Sequence, residues 1–178
     1  DYFVITTNVD GQFMKTGFAP EHFFEVQGNY GEWQCSVPCR QEVFDNEEAV
    51  MEMLKEIKDL KIPTDLLPYC PNCGAQMTMH LRVDQSFVQN ETWEASYEAY
   101  LGFIEGIEDQ KVVFLELGVG YNTPTIIRYP FEKMTAVFPK AHLIRLNRDY
   151  LECFAASKEK TISINDDMRE VLQQWLAD

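Results

Sequence analysis

Basic residues are scarce in this chain: 15 lysines and arginines stand against 29 aspartates and glutamates, a formal net charge of −14. A non-specific nucleic-acid binder needs a basic face, and an anionic membrane surface repels this sign of charge, so neither is an expected partner. Long apolar runs are missing too; none reaches the roughly 20 residues of a membrane span, and no signal peptide is visible. The full Gly-x-Gly-x-x-Gly dinucleotide fingerprint does not occur. There is no initiator methionine, and an apolar strand at the first residues has no lead-in, which reads as a fragment lacking its N-terminal part. Cysteine is limited to five residues in which two close pairs stand out. That usage fits a metal site in a reducing, cytoplasmic setting better than a disulfide framework.

What is present suffices for a core. Of 178 residues, 46% are hydrophobic and 13% aromatic, enough for one compact domain carrying a small inserted module. YFVIT (Tyr2 to Thr6) reads as a parallel strand covered on both faces, followed by a polar turn from Thr7 to Phe13. In DNEEAVMEMLKEIKDL, Val50, Met53, Leu54, Ile57 and Leu60 recur at helical spacing, and Asp45 or Asn46 can cap the helix. Met77 to Val83 reads as a strand, and Thr92 to Ile107 as a helix with Trp93, Tyr97, Tyr100, Leu101 and Ile104 on one side. KVVFLELGVGYNTP (Lys111 to Pro124) is a strand ending in a Gly118-Val119-Gly120 turn. His142 to Asn147 and Thr161 to Ile164 are further strands. Asp166 to Leu176 reads as a helix with Met168, Val171, Leu172 and Trp175 inward. Strands alternating with helices predict an α/β fold: a Rossmann-like parallel sheet domain with an inserted zinc-binding module. The expected boundaries are residues 1–26 and 80–178 for the sheet domain and 27–79 for the module. Ligands of such sheets bind outside the carboxyl ends of the strands.

The strongest chemical signal is Cys35-x3-Cys39 with Cys70-x2-Cys73. Four thiolates close a tetrahedral site of the structural zinc type, and Pro71 and Gly74 frame a tight knuckle around the second pair. Two disulfides or four unrelated thiols are the alternatives. Cys153, on an expected helix, reads as a buried apolar thiol. Gly118 and Gly120 let backbone approach a ligand, with Asn122 and Thr123 as polar neighbours, although a Gly-x-Gly after a strand is often only a turn. Asn8 and Asp10 can address a ribose hydroxyl and an amide-bearing ligand, or simply form an Asx turn.

Taken in order, these segments are similar to the sirtuins. TTNVDGQFMKTGF (Thr6 to Phe18) resembles the sirtuin run Thr-Gln-Asn-Ile-Asp followed by Ala-Gly, with Thr7 in place of the Gln. EVQG (Glu25 to Gly28) resembles the step where sirtuins carry His-Gly, and the cysteine pairs follow as in the sirtuin zinc module. LRVDQSFVQNE (Leu81 to Glu91) resembles the Arg-Pro-x-Val-x-Phe-Gly-Glu segment, LELGVGYNTP the Gly-Thr-Ser turn, and LIRLNRD (Leu143 to Asp149) the strand whose Asn borders adenosine. The whole pattern resembles the class M sirtuins, a microbial branch associated with macrodomain proteins and lipoyl-carrier proteins and known for NAD-dependent protein ADP-ribosylation. The resemblance implies NAD and zinc as cofactors and a protein acceptor such as a lipoylated carrier. It implies NAD contacts from Thr7, Asn8, Asp10, Gly118, Val119, Gly120, Asn122, Asn147 and Arg148. Asn8 would position the ribose or the attacking group, Asp10 the nicotinamide amide, and Gln27 the acceptor or ribose hydroxyls.

Gln27 is the telling departure. A deacylase of this family uses a histidine as general base, and an amide does not titrate. Gln27 can orient a group but cannot take its proton. His22 is the nearest histidine in sequence that could substitute. The alternatives to ADP-ribosyl transfer are a deacylase working without histidine and a silent module that keeps only the fold and zinc. The sirtuin Gly-Ala-Gly phosphate loop has no counterpart in these residues.

Overall fold

The computed structural model describes residues 1–177, which fall into two compact units, Asp1–Tyr100 and the described residues from Leu101 onward. In the first unit, β1 (Val4–Thr6) and β2 (Phe23–Glu25) form a parallel pair with Thr6 opposite Glu25. The expected strand over Tyr2 to Thr6 is therefore shorter, and Val4 and Ile5 are half-buried rather than covered on both faces. Aromatic contacts tie this region to a helix: Phe3 meets Tyr100 at 5.6 Å, and Phe24 meets Trp93 at 5.2 Å, both partners on the helix Glu91–Ile107.

A second sheet was not legible as such. β3 (Gly28–Cys35) pairs antiparallel with β4 (Val43–Asp45) and β5 (Met77–Leu81), Trp33 facing Phe44 on one side and Met79 on the other. The register slips between Asn29 and Trp33, a bulge in the strand holding Gly28 and Gly31. β5 stops at Leu81, two residues short of the expected end. Helix α1 (Glu47–Glu56) lays Ala49, Val50 and Met53 on a small cluster of Trp33, Cys35, Cys70 and Met77. Its first turn is capped by Asp45, whose Oδ1 accepts the Glu47 N–H at 3.0 Å. The Asn46 side chain donates instead to the Tyr30 carbonyl. The helix ends early because Lys58 and Lys61 close a tight turn through reciprocal backbone bonds of 3.0 and 2.9 Å, with Asp59 and Leu60 at φ of 51° and 61°. Ile57 and Leu60, expected inward, are consequently exposed, and Leu54, still within the helix, is exposed as well. Helix α2 (Glu91–Ile107) matches its expected span within one residue.

In the second unit, β6 (Val112–Leu117), β7 (Ala141–Leu146) and β8 (Thr161–Ile164) form a parallel sheet in that order, every strand close to its predicted position. Helix α3 (Arg128–Val137) crosses from β6 to β7, and its Phe131 packs on Phe114 at 4.9 Å between ring centres. Helix α4 (Met168–Ala177) buries Val171 and half-buries Leu172. Met168 and Trp175, expected inward, remain 39% and 44% exposed, because only one narrow stripe of the helix is covered. Cys153 lies in an irregular loop, not on a helix, and is half-buried.

Candidate active site and metal centre

Parallel pairing puts the carboxyl ends of β1 and β2 side by side, and the loops leaving them are tied together. The Val26 N–H donates to the Thr6 carbonyl at 3.1 Å, and the Tyr30 N–H to the Val9 carbonyl at 2.8 Å. Thr7, Asn8, Asp10 and Gln27 thus share one end of this small sheet. The Asn8 backbone N–H is held by Thr6 Oγ1 at 3.0 Å, while its side chain is exposed. Asp10 Oδ1 accepts the Gln12 N–H at 3.2 Å, so this carboxylate does form an Asx turn. Gln27 is half-buried, and its carbonyl accepts the Arg82 N–H at 3.0 Å. Gly28 has a φ of 84°, and a Cβ there would stand 2.0 Å from the His80 carbonyl oxygen, so no other residue fits behind Gln27. His22 packs edge-on against Tyr2 at 5.2 Å.

Beside this end lies a cavity of about 190 Å³ walled by Phe24 and Trp93, with Glu25, Asn29, Glu32 and His80 at its polar edge. Burial raises the Glu25 carboxyl above its ordinary range, partly opposed by the Asn29 amide, which donates to it at 2.9 Å. His80 is buried with Nδ1 at 2.8 Å from Glu32 and Nε2 donating to the Val88 carbonyl at 2.8 Å, its ring stacked on Phe87 at 4.6 Å.

All four predicted metal ligands converge. The Sγ atoms of Cys35, Cys39, Cys70 and Cys73 lie within 4.8 Å of one another, with Cys35 to Cys73 at 3.5 Å and Cys39 to Cys70 at 3.6 Å. A tetrahedral zinc with bonds of about 2.3 Å separates its sulfurs by roughly 3.8 Å, so the four thiols are positioned for zinc binding with no position left open. None is in a disulfide. Backbone N–H groups of Cys73 and Asn72 lower the Cys70 thiol to about 7, favouring the thiolate that a metal needs, while desolvation and the neighbouring thiols push Cys39 up to about 12.

In the second unit the predicted residues again occupy carboxyl strand ends. Gly118 follows β6 at a φ of 65° and donates its N–H to the Leu146 carbonyl at 2.9 Å. Asn147 follows β7 and is buried. Its amide donates to the Val119 carbonyl at 2.9 Å, and its Oδ1 accepts the N–H groups of Asp149 and Tyr150, both at 3.0 Å. Asn147 therefore joins the Gly118–Asn122 turn to the loop after β7. Arg148 points outward and pairs with Asp167 at 2.9 Å.

Beneath these loops is a group that sequence reasoning missed. Glu116, Arg128, Glu132 and Arg145 are all 1% exposed or less. Arg145 donates to Glu116 at 2.6 and 2.8 Å and to Glu132 at 2.7 Å. Burial works against its charge, but the hydrogen bonds to Glu116 and Glu132 outweigh that and hold its pKa above the ordinary value. Arg128 approaches Glu116 at 3.4 Å and carries the Tyr121 ring at 4.4 Å. A signal existed: Glu116 alternates with Phe114 on one face of β6, and Arg128 and Glu132 are one helical turn apart.

No protein-family model matches the chain. It is 31% identical over 172 residues to a Staphylococcus aureus protein named "Protein ADP-ribosyltransferase", covering 96% of this chain and 55% of that protein. It is 33% identical over 141 residues to a Fusarium oxysporum f. sp. cubense protein named "Probable bifunctional ADP-ribose hydrolase/ADP-ribosyltransferase", covering 75% of this chain and 23% of that one. The chain thus spans about half or less of the length of these curated relatives. Among solved structures, one from a study of the mechanism and regulation of Sir2 enzymes superposes over 97% of this chain and 58% of its own, at a TM-score of 0.55 and 20% identity. That likeness establishes the Sir2 fold.

Proposed function

We propose, from its likeness in sequence and in fold, that the chain belongs to the sirtuin family and is part of an NAD-dependent protein ADP-ribosyltransferase of the class M type. The observation that carries the reading is Gln27, an amide at the strand end shared with Asn8 and Asp10, where a deacylase needs a titrating base. Residues 1–26 and 80–178 supply the NAD domain, and 27–79 the zinc module. NAD, when bound, supplies an ADP-ribosyl group on a bond that breaks with release of nicotinamide. Asn8 holds the ribose or the attacking group, Asp10 the nicotinamide amide, and Gln27 the acceptor or ribose hydroxyls. Thr7, Gly118, Val119, Gly120, Asn122, Asn147 and Arg148 complete the cofactor contacts. The four cysteines hold zinc in a structural role.

The acceptor is a protein, and a lipoylated carrier protein is the candidate. The Fusarium relative's name couples an ADP-ribose hydrolase to a transferase, which supports a macrodomain-type hydrolase as functional associate. The setting is cytoplasmic. Among the described residues no helix is long and apolar enough to cross a membrane.

The test is transfer of labelled ADP-ribose to a lipoyl-carrier protein by the intact protein, beside deacylation of an acetylated peptide. Gln27→Ala should lower transfer about a hundredfold, the worth of one well-placed catalytic hydrogen bond. Gln27→His should not raise it. Brisk deacylation with no acceptor modified refutes the proposal in favour of a deacylase.

A further inference from the structure

We infer that Arg128 is a positioning residue for the nucleotide, acting by clamping the two loops after β6 and β7 at one fixed separation; the inference rests on reading those loops as part of the NAD site. The contacts are unusual for an arginine buried beside carboxylates, because three of its four hydrogen bonds go to main-chain carbonyls, while its buried Nε, 3.8 Å from Glu132, makes none. Nη1 donates to the Val119 carbonyl at 3.3 Å and to the Tyr150 carbonyl at 3.4 Å, and Nη2 to the Glu152 carbonyl at 2.6 Å. Val119 belongs to the first loop, Tyr150 and Glu152 to the second. One planar fork therefore spans both loops, and outside the ladder bonds only Asn147 makes a similar bridge among the bonds described above. Arg145 adds a further bond to the Glu152 carbonyl.

The surrounding charges explain why this fork stays rigid. Glu116 and Glu132 fix Arg145, Glu116 also meets Arg128, and the Phe154 N–H donates to Glu132 Oε2 at 2.6 Å, which ties the far end of the second loop to α3. Two guanidinium and two carboxylate charges cancel within the group. Tyr121 lies over the Arg128 guanidinium and meets Tyr150 edge-on at 5.0 Å, so the exposed aromatic faces of both loops are set by the same clamp. A lysine at 128 keeps the charge but has no fork and cannot hold three carbonyls at fixed angles. Loop separation then drifts, and the nucleotide loses binding contacts that it makes equally in the ground and transition states.

The experiment compares the intact protein with Arg128→Lys, using ADP-ribose as the calorimetric probe and steady-state kinetics with NAD. We expect ADP-ribose affinity to fall roughly tenfold and KM for NAD to rise in parallel, with kcat nearly unchanged. Hydrogen exchange without ligand should quicken in residues 118–122 and 147–152. Phe138→Leu, which loosens the same sheet's core without touching the loops, should lower the melting temperature and leave affinity alone. If Arg128→Lys does not fold, hydrogen exchange of the unmutated protein decides: residues 118–122 and 147–152 should already exchange slowly without ADP-ribose, and fast exchange there that slows only on binding overturns the inference. Wild-type affinity in a folded lysine variant overturns the inference alone. An unmutated protein that binds no ADP-ribose overturns the NAD-site reading and this inference with it.

Discussion

In the intact protein, Asn8→Ala is expected to cut nicotinamide release from NAD by a hundredfold or more, roughly 2.7–4 kcal/mol of barrier. The residue suits a clean test because its backbone does not depend on its side chain. Its N–H is held by Thr6 Oγ1 at 3.0 Å, and the following loop is anchored through the Val9 carbonyl. The exposed carboxamide can therefore be removed with the loop left in place. An amide offers two donors and an acceptor at fixed angles, enough to orient a ribose hydroxyl and its attacking partner. The measurement is nicotinamide released per enzyme at saturating NAD, with the melting temperature as control. Unchanged turnover in the folded variant would refute the role assigned to Asn8.

Stripping metal from the four cysteines should have an equally large effect, on structure rather than turnover. The antiparallel sheet and α1 share a small apolar cluster around Trp33, Cys35, Cys70 and Met77, and two of its four members belong to the cysteine group positioned to hold a metal. Helix α1 has no fully buried residue, and Leu54, Ile57 and Leu60 face solvent. With so little core, the proposed metal coordination would be the main term holding residues 36–76, since structural zinc in small finger peptides supplies about 10–16 kcal/mol of apparent binding energy. A strong chelator, or Cys70→Ala, is expected to release Trp33 to solvent by fluorescence and open residues 36–76 to protease. The β6-β7-β8 unit should stay protected. Purified protein containing no metal yet resisting protease across that segment would sink the assignment.

What could be read from the sequence divides along physical lines. Signals carried by local pattern survived: the apolar runs of β6, β7 and β8, the aromatic face of α2, and the cysteine pairs, whose spacing alone implied convergence. Signals that depend on partners far along the chain did not. β3 has alternation broken by Gly28 and Gly31 and a bulge before Trp33, so only pairing with β4 and β5 identifies it as a strand. Helix α3 carries Pro130 in its first turn and four buried residues that include Arg128 and Glu132, a composition that suggests neither a helix nor a core. The inward set of α1 was overextended because Asp59 and Leu60 turn the chain back in a left-handed conformation that nothing in their identity announces. At the candidate site, residue types and order were legible. Whether Asp10 was a turn former or a ligand group was not, and its bond to the Gln12 N–H shows the turn without excluding the second role.

The buried quartet also constrains how this sequence can change over generations. Removing one partner from a buried ion pair typically costs about 3–5 kcal/mol because the other charge is stranded. That is a large share of the roughly 5–15 kcal/mol by which a domain is stable. Glu116, Arg128, Glu132 and Arg145 thus have few viable single-step neighbours, and Arg to Lys, neutral on most surfaces, is not neutral here. Drift at these positions must run through paired replacements that conserve charge and volume together. Among natural variants of this chain, the four identities should therefore be inherited as a block, changing jointly or not at all, while exposed helical positions such as Leu54 vary freely.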